Sequence, residues 1–167
     1  HVLSDKIDLL KTAHDVEEIL RHKADNREVT MTVEGEPVRI YGNQSYITEL
    51  FLNLMDNAIK YNREGGSLKV TVGAEDGKAV AVFSDTGIGI SDEHQSRIFE
   101  RFYRVDKSRS KQTGGTGLGL SIVKHIVAYH SGEIQLESEL EKGTTITVKL
   151  PFNEPETQRA EETAVTE

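Results

Sequence analysis

The segment Asn53-Leu-Met-Asp-Asn57-Ala-Ile-Lys60-Tyr61 carries two side-chain amides four residues apart, followed by a Lys-Tyr pair. Asparagine is a poor helix residue, because its side chain competes for backbone hydrogen bonds. The apolar residues around it nonetheless repeat at helical spacing. Glu49, Asn53, Asn57 and Lys60 fall on one polar stripe, since residues three and four apart share a helix face. A merely solvated face ordinarily mixes Glu with Lys. This one offers amide oxygens and an ammonium group, which suit a magnesium ion and phosphate oxygens. Magnesium takes a few hard oxygen ligands, keeps several waters and is completed by a substrate's phosphates.

Two glycine-bearing stretches follow. In Asp85-Thr-Gly-Ile-Gly-Ile90, Gly87 and Gly89 let the backbone turn sharply and approach a flat ligand. Asp85, at a strand end, could accept a hydrogen bond from an exocyclic amine. The same residues also read as a simple turn. Gly114-Gly-Thr-Gly-Leu-Gly-Leu-Ser121 opens a helix, and free N–H groups there favour an anion. It lacks the Gly-Lys-Ser/Thr ending of a P-loop and the context of a dinucleotide fingerprint. A glycine hinge is the plainer alternative. Between them, Phe99, Phe102 and Tyr103 form an aromatic cluster, and Arg101, Arg104, Lys107, Arg109 and Lys111 a basic loop. A long loop in a compact domain is commonly a lid or disordered; these cations could close over phosphates, with an ordinary exposed loop the plainer alternative, above all for Arg109 and Lys111.

The elements that must hold these residues are legible from periodicity. Helices are expected over 5 to about 26, with Ile7, Leu10, Val16, Ile19 and Leu20 inward, and over 43–62, with Ile47, Leu50, Phe51, Leu54, Ala58 and Tyr61 inward. A third is expected over about 117–130. Strands are expected over 29–33, 38–41, 67–74, 78–84, 133–138 and 144–150, with a hairpin at Glu-Asp-Gly-Lys. Glycine-rich and charged sequence fills the interval up to residue 116. The pattern predicts an α+β fold: a two-layer sandwich whose mixed, mostly antiparallel sheet packs on about three helices, not a doubly wound parallel sheet.

The 167 residues suffice for one core, with 36% hydrophobic and 29% charged residues. The absence of cysteine excludes disulfides and thiolate metal sites. No apolar run is long enough to span a membrane. Of the net charge of −8, residues 153–167 carry −4, from five acidic residues and one arginine. The remainder is mildly acidic and lacks the basic face of a nucleic-acid binder. One domain is expected over 1–151, with residues 152–167 an acidic tail too poor in apolar residues to fold. The opening at His1 reads as mid-protein sequence, so the chain is expected to be a fragment of something longer.

In this order the four stretches are highly specific. The sequence resembles the ATP-binding catalytic domain of two-component sensor histidine kinases, with "NLMDNAIKY" similar to the N box, "DTGIGI" to the G1 box, "IFERFYRVD" to the F box and "GGTGLGLS" to the G2 box. That family shares the Bergerat-type ATP-binding fold with gyrase B subunits, the MutL repair protein and ATP-dependent heat-shock chaperones. The resemblance covers about residues 5–151.

The resemblance implies ATP and Mg2+ as cofactors, with Asn57 the metal ligand and Asn53 beside it. Asn53, Lys60 and Arg104 are the residues implied in transfer. Lys60 would meet phosphate oxygens, Tyr61 the adenine or ribose, and Asp85 the adenine amino group. Gly87, Ile88 and Gly89 would shape the base pocket, and Thr144, after Gly143, would close it. Tyr103 and Arg104 would reach in from the lid. The backbone of Gly115, Thr116, Gly117, Leu118, Gly119 and Leu120 would line the phosphates. For Glu49 a surface position is as good a reading as a catalytic one.

The gyrase-type relatives place a water-activating glutamate at the position of Asn53. An amide cannot act as a general base, and phosphoryl transfer needs mainly positioning and charge stabilisation. A histidine kinase is therefore favoured over an ATPase, and the "IFERFYR" box favours it over an anti-sigma-type serine/threonine kinase. A nucleotide-binding module that has lost transfer is the remaining alternative. The family's phosphoacceptor histidine lies on a preceding dimerisation helix in a His-Glu-Leu-Arg-type context, which none of His1, His14, His22, His94, His125 and His130 has. His22 and His125 read as helix-surface residues. The implied partners are a histidine-containing dimerisation domain of the same parent protein and a response-regulator receiver domain. No nucleic acid and no direct membrane contact are implied. The isolated domain is expected to be cytoplasmic and monomeric and unable to autophosphorylate. Asn62 after the Lys-Tyr pair and Ser131 are minor departures from the family pattern.

Overall fold

The computed structural model describes residues 3–100 and 119–155. Its elements in chain order are β1 (Asp5–Asp8), α1 (Leu9–Asn26), β2 (Thr30–Gly35), β3 (Arg39–Gly42), α2 (Gln44–Lys60), β4 (Ser67–Glu75), β5 (Lys78–Asp85), the short α3 (Asp92–Gln95), α4 (Gly119–Tyr129), β6 (Glu133–Glu139) and β7 (Gly143–Pro151). The main sheet has the order β2-β4-β5-β7-β6. β2 runs parallel to β4 and the other pairs are antiparallel. This is the expected α+β sandwich with a mixed, mostly antiparallel sheet.

Period-two burial explains the two layers. Leu68, Val70 and Val72 of β4 and Ile146, Val148 and Leu150 of β7 are buried, while residues between them are more exposed. One sheet face is therefore apolar and must be covered. The helices supply that cover with stripes of period 3.6. In α2 the stripe is Ile47, Leu50, Phe51, Leu54, Met55, Ala58 and Ile59. The Phe51 ring lies 5.2 Å from that of Phe83 on β5, which seats α2 over the middle of the sheet. Lys23–Asp56 and the Arg27 guanidinium donating to the Ile59 carbonyl tie the ends of α1 and α2 together.

Four local readings are corrected. Residues 5–8 are not helical: they form β1, paired with β3, because the Asp8 carboxylate accepts from the Lys11 N–H at 3.0 Å and starts the helix at Leu9. Ile19, assigned to the core stripe, is 62% exposed. A short helix, α3, interrupts the stretch read as irregular. Phe152 and Asn153, read as tail, are bonded to the fold: the Phe152 carbonyl accepts from Tyr41 N–H at 2.7 Å and Asn153 donates to the His130 carbonyl at 3.0 Å. The hairpin at Glu75–Lys78 is as expected, with Asp76 at φ 50 and Gly77 at φ 75, both in the left-handed conformation that a two-residue turn of this kind requires.

His22 and His125 are exposed, as read. His130 is fully buried and was not singled out. Its Nε2 accepts from the backbone N–H of Asn43, the N-cap of α2, at 3.0 Å. Its Nδ1 lies 2.8 Å from the Ile126 carbonyl. That pair of contacts fixes a neutral ring with the proton on Nδ1. Burial pushes its pKa below the ordinary 6.5, with the Ile126 carbonyl opposing. The unfolded chain therefore takes up a proton first, and the stability held above pH 6.5 is lost as pH falls through the lowered folded value. The urea midpoint is expected to fall as pH drops below about 6.5. His130→Gln should flatten that slope while lowering stability by about 1–3 kcal/mol. An unchanged slope would show that His130 does not carry the effect.

Candidate functional site

The polar stripe of α2 keeps its side chains half-buried along Glu49, Asn53, Asn57 and Lys60. One N–H of the Asn53 amide donates to the Glu49 carbonyl at 2.9 Å, which turns the side chain so that its oxygen has no hydrogen bond among the described residues. The Asn57 carbonyl accepts from Tyr61 N–H at 3.0 Å. Its side chain has no hydrogen bond among the described residues. Lys60 pairs with Asp56 at 3.1 Å, and Asp56 also takes Lys23 at 3.3 Å. Tyr61 is the C-cap of the helix.

Asp85 ends β5 directly opposite Thr144 on β7. One carboxylate oxygen accepts from Gly87 N–H at 2.8 Å and from Thr144 N–H at 3.3 Å. The second has no hydrogen bond among the described residues. Burial raises the Asp85 pKa above 3.8, and the two backbone N–H groups act against that rise. The Thr144 hydroxyl lies 2.8 Å from that of Ser138 on β6.

The loop after Asp85 is clamped on both sides. Ile88 N–H donates to the Tyr61 carbonyl at 3.0 Å, and Glu141 N–H donates to the Ile88 carbonyl at 2.8 Å. No side chain fits at these crossings. A Cβ at Gly87 would stand 2.6 Å from the Tyr61 carbonyl oxygen. One at Gly89 would stand 2.0 Å from that of Glu139, and one at Gly143 2.1 Å from that of Asp85. The glycines are thus demanded by the protein's own backbone, a requirement additional to any approach of a flat ligand.

The fold joins Tyr61 of α2 to Ile88, and Asp85 to Thr144. The other α2 positions, Asn53, Asn57 and Lys60, lie on the helix that ends at this clamp. Gly119 opens α4 and Leu120 packs partly against the core. Tyr103, Arg104, Gly115, Thr116, Gly117 and Leu118 lie outside the described residues, as do Phe102 and all the cations of the basic loop. Sequence reasoning missed Ser138, whose hydroxyl accepts from Ile90 N–H at 2.8 Å, and Gln95, which donates to the Ile90 and Ser138 carbonyls at 2.7 and 2.9 Å. Only their serine and glutamine identities were visible, and neither carries spacing that marks it. A depression of about 420 Å³ between α1 and β2, lined by Arg21, Asp25, Glu28 and Met31 among others, contains none of these site residues. Among the described residues no cluster of three His, Cys, Asp or Glu side chains could hold a metal ion.

Residues 42–154 match the family described as histidine kinase-, DNA gyrase B-, and HSP90-like ATPase. The chain belongs to that family. More narrowly, it is similar to sensor histidine kinases. It is 40% identical over 149 residues to the sensor-like histidine kinase SenX3 of Mycolicibacterium smegmatis, covering 87% of this chain and 39% of that protein. The solved mycobacterial sensor histidine kinase MprB superposes with a TM-score of 0.76 at 30% identity, over 89% of this chain and 97% of that one. Full-length ShkA in complex with AMPPNP gives a TM-score of 0.77 at 27% identity, over 89% of this chain and 31% of that one. The chain therefore corresponds to the ATPase domain of such kinases and spans well under half the length of SenX3.

The raised pKa of Asp85 gives a stability test. The folded state binds this proton more tightly than the unfolded chain, so the contribution is present below pH 3.8 and lost as pH rises through the folded value. Without ligand, the ionised carboxylate is a cost at neutral pH. Asp85→Asn keeps an oxygen acceptor for Gly87 and Thr144 and removes the charge. Its melting midpoint at pH 7 is expected to exceed that of the unaltered chain, with the gap closing toward pH 3. A lower midpoint at pH 7 would contradict the assigned cost.

Proposed function

We propose that this chain binds Mg·ATP and presents the γ-phosphate to a histidine on a separate dimerisation domain of the same parent protein, from which it passes to a response-regulator receiver domain. The observation that carries the reading is the α2 face. By the resemblance, Asn53 stands where a hydrolase needs a general base, and an amide cannot take a proton from water. With one amide N–H donating to Glu49, Asn53 keeps its oxygen free for a ligand, and the Asn57 side chain has no hydrogen bond among the described residues. Neutral oxygen donors without a carboxylate cage fit a magnesium ion that arrives with phosphates attached. When bound, magnesium would neutralise charge on the triphosphate.

The chain's own residues would do the rest. Asp85 would accept from the adenine amine through its unused oxygen, with Gly87, Ile88, Gly89 and Thr144 framing the base. Tyr61 would lie against the base or ribose. Lys60 would leave Asp56 for phosphate oxygens, and Arg104 with Tyr103 would reach in from the segment preceding α4. Gly115 to Leu120 would offer backbone N–H groups at the start of that helix. The AMPPNP complex of ShkA, a structural relative, supports a nucleotide at such a site.

No histidine in the chain is placed as an acceptor on this reading. His130 is buried, and His14 and His94 lie beside Glu17 and Glu93. The experiment is calorimetric titration with a non-hydrolysable ATP analogue, with and without magnesium. Magnesium-dependent binding is expected, weakened at least ~10-fold, or about 1.4 kcal/mol, by Asn57→Ala. Binding that ignores both magnesium and the substitution would refute the metal assignment. A phosphohistidine on the chain alone, incubated with ATP, would refute the separate-acceptor assignment.

A further inference from the structure

Asn62, one residue past the C-cap of α2, is 3% exposed and heads a closed hydrogen-bond network. Its Nδ2 donates to the Ser67 carbonyl at 2.9 Å. Its Oδ1 accepts from Arg63 N–H at 2.9 Å and from the Thr86 hydroxyl at 3.3 Å. The Thr86 oxygen in turn accepts from Ser67 N–H at 2.8 Å, and Thr86 N–H donates to the Ser67 carbonyl at 3.1 Å. A flipped amide would face N–H to N–H and oxygen to oxygen, so only this orientation satisfies all partners. Both lone pairs of the Ser67 carbonyl and both of Asn62 Oδ1 are used. The Thr86 hydroxyl hydrogen has one direction left to it. A Cβ at Gly66 would fall 2.2 Å from Asn62 Oδ1 and 2.7 Å from Thr86 Oγ1, which leaves only glycine there.

Thr86 sits between Asp85 and Gly87, the two partners of the 2.8 Å carboxylate contact. Freezing Thr86 therefore freezes the turn that aims Asp85. Resting on the nucleotide reading above, we propose that Asn62 is a positioning residue: through Thr86 it fixes the carboxylate of Asp85 for a purine carrying an exocyclic amine. Removing Asn62 leaves the Thr86 hydroxyl without an acceptor and lets the turn rock, while leaving the phosphate-facing stripe of α2 unaltered. Recognition of the base should suffer more than recognition of the phosphates.

The test compares dissociation constants for ATP and ITP, with magnesium, on this chain. ITP has a carbonyl in place of the amine, so its exocyclic group cannot donate to Asp85. The unaltered chain is expected to prefer ATP. Asn62→Ala is expected to cut that preference about ten-fold, as loss of one directed hydrogen bond allows, with ITP affinity little altered. Thr86→Val should do the same, and Thr86→Ser, which keeps the hydroxyl, should retain the preference. A lowered melting midpoint with an unaltered ATP/ITP ratio would overturn the proposal and leave Asn62 a residue of the fold alone. If Asn62→Ala does not fold, equal ratios for Thr86→Val and Thr86→Ser would overturn it. Equal binding of ATP and ITP by the unaltered chain would also overturn it. Binding of neither by the unaltered chain would overturn the nucleotide reading first, an outcome separate from any effect of Asn62.

Discussion

The site depends on how closely α2 and the loop after β5 approach. The Tyr61 carbonyl receives Ile88 N–H at 3.0 Å, and at Gly87 there is no room for even a methyl group against that carbonyl. Backbone meets backbone without an intervening side chain, so the end of α2 and the loop after Asp85 hold one relative position. Interiors are close-packed and transmit strain. A Cβ at Gly87, Gly89 or Gly143 would force apart two elements at once. Gly89 and Gly143 also have φ 70 and 136, where any side chain is disfavoured. Such crossings let elements distant in sequence meet at fixed separations, as pre-organised recognition requires.

The polar groups at this junction divide into two kinds. Those of Asn62, Thr86 and Ser67 satisfy one another, and no buried side-chain polar atom among the described residues lacks a partner. Fully satisfied networks rigidify a site. Asp85 is the other kind. It holds one oxygen on two N–H groups, keeps the second unused, and bears a pKa raised by burial. Perturbed groups of this sort concentrate at functional sites. The rigid network beside it limits how far Asp85 could relax toward water to relieve that burial. Stability and recognition thus oppose each other at one carboxylate.

Much of this was legible in the sequence, for identifiable reasons. The core stripe of α2 obeys a 3.6-residue period from Ile47 to Ala58, and of the residues read into it only Tyr61, the half-buried C-cap, falls outside the core. The β4–β5 hairpin was legible because Asp-Gly favours a left-handed turn. Other readings failed where local and tertiary signals part. Asp-Lys-Ile-Asp is four residues long and three of them are charged, and only its pairing with β3 makes it a strand. Ile19 has the right spacing for the core, yet α1 turns it outward, because period alone does not say where a neighbouring layer ends. Gly87 and Gly89 were legible as special, but not that the nearest obstacle is another backbone. Asn62 was set aside as a minor departure. Its importance comes from Thr86 and Ser67, which are 24 and 5 residues away in sequence and which no periodicity links to it. Phe152 was assigned to a tail because the sequence after Pro151 is poor in apolar residues, although its own carbonyl closes onto β3.

On the proposed reading, the phosphate side of the site is governed by competition between oxygens. Lys60 is held by Asp56 at 3.1 Å, with both side chains about a fifth exposed, and Asp56 is shared with Lys23 of α1. A partly exposed pair of this kind is worth about 0.2–1 kcal/mol. A triphosphate with its metal presents more negative charge than one carboxylate, so withdrawing Lys60 costs little compared with what it gains. Asp56 loses less than the pair's full value, because Lys23 stays beside it. Lys60 therefore has a satisfied position without ligand and another open to it with ligand. The base side has no such alternative position, because Asp85 is held through one oxygen on Gly87 and Thr144 N–H, with only its second oxygen left for a ligand. Recognition is rigid where a purine must be distinguished by one amine and adjustable where a flexible polyphosphate must be met. The sequence assigns these tasks to different chemistry: amide, hydroxyl and glycine around Asp85, and an ion pair on the outer face of α2.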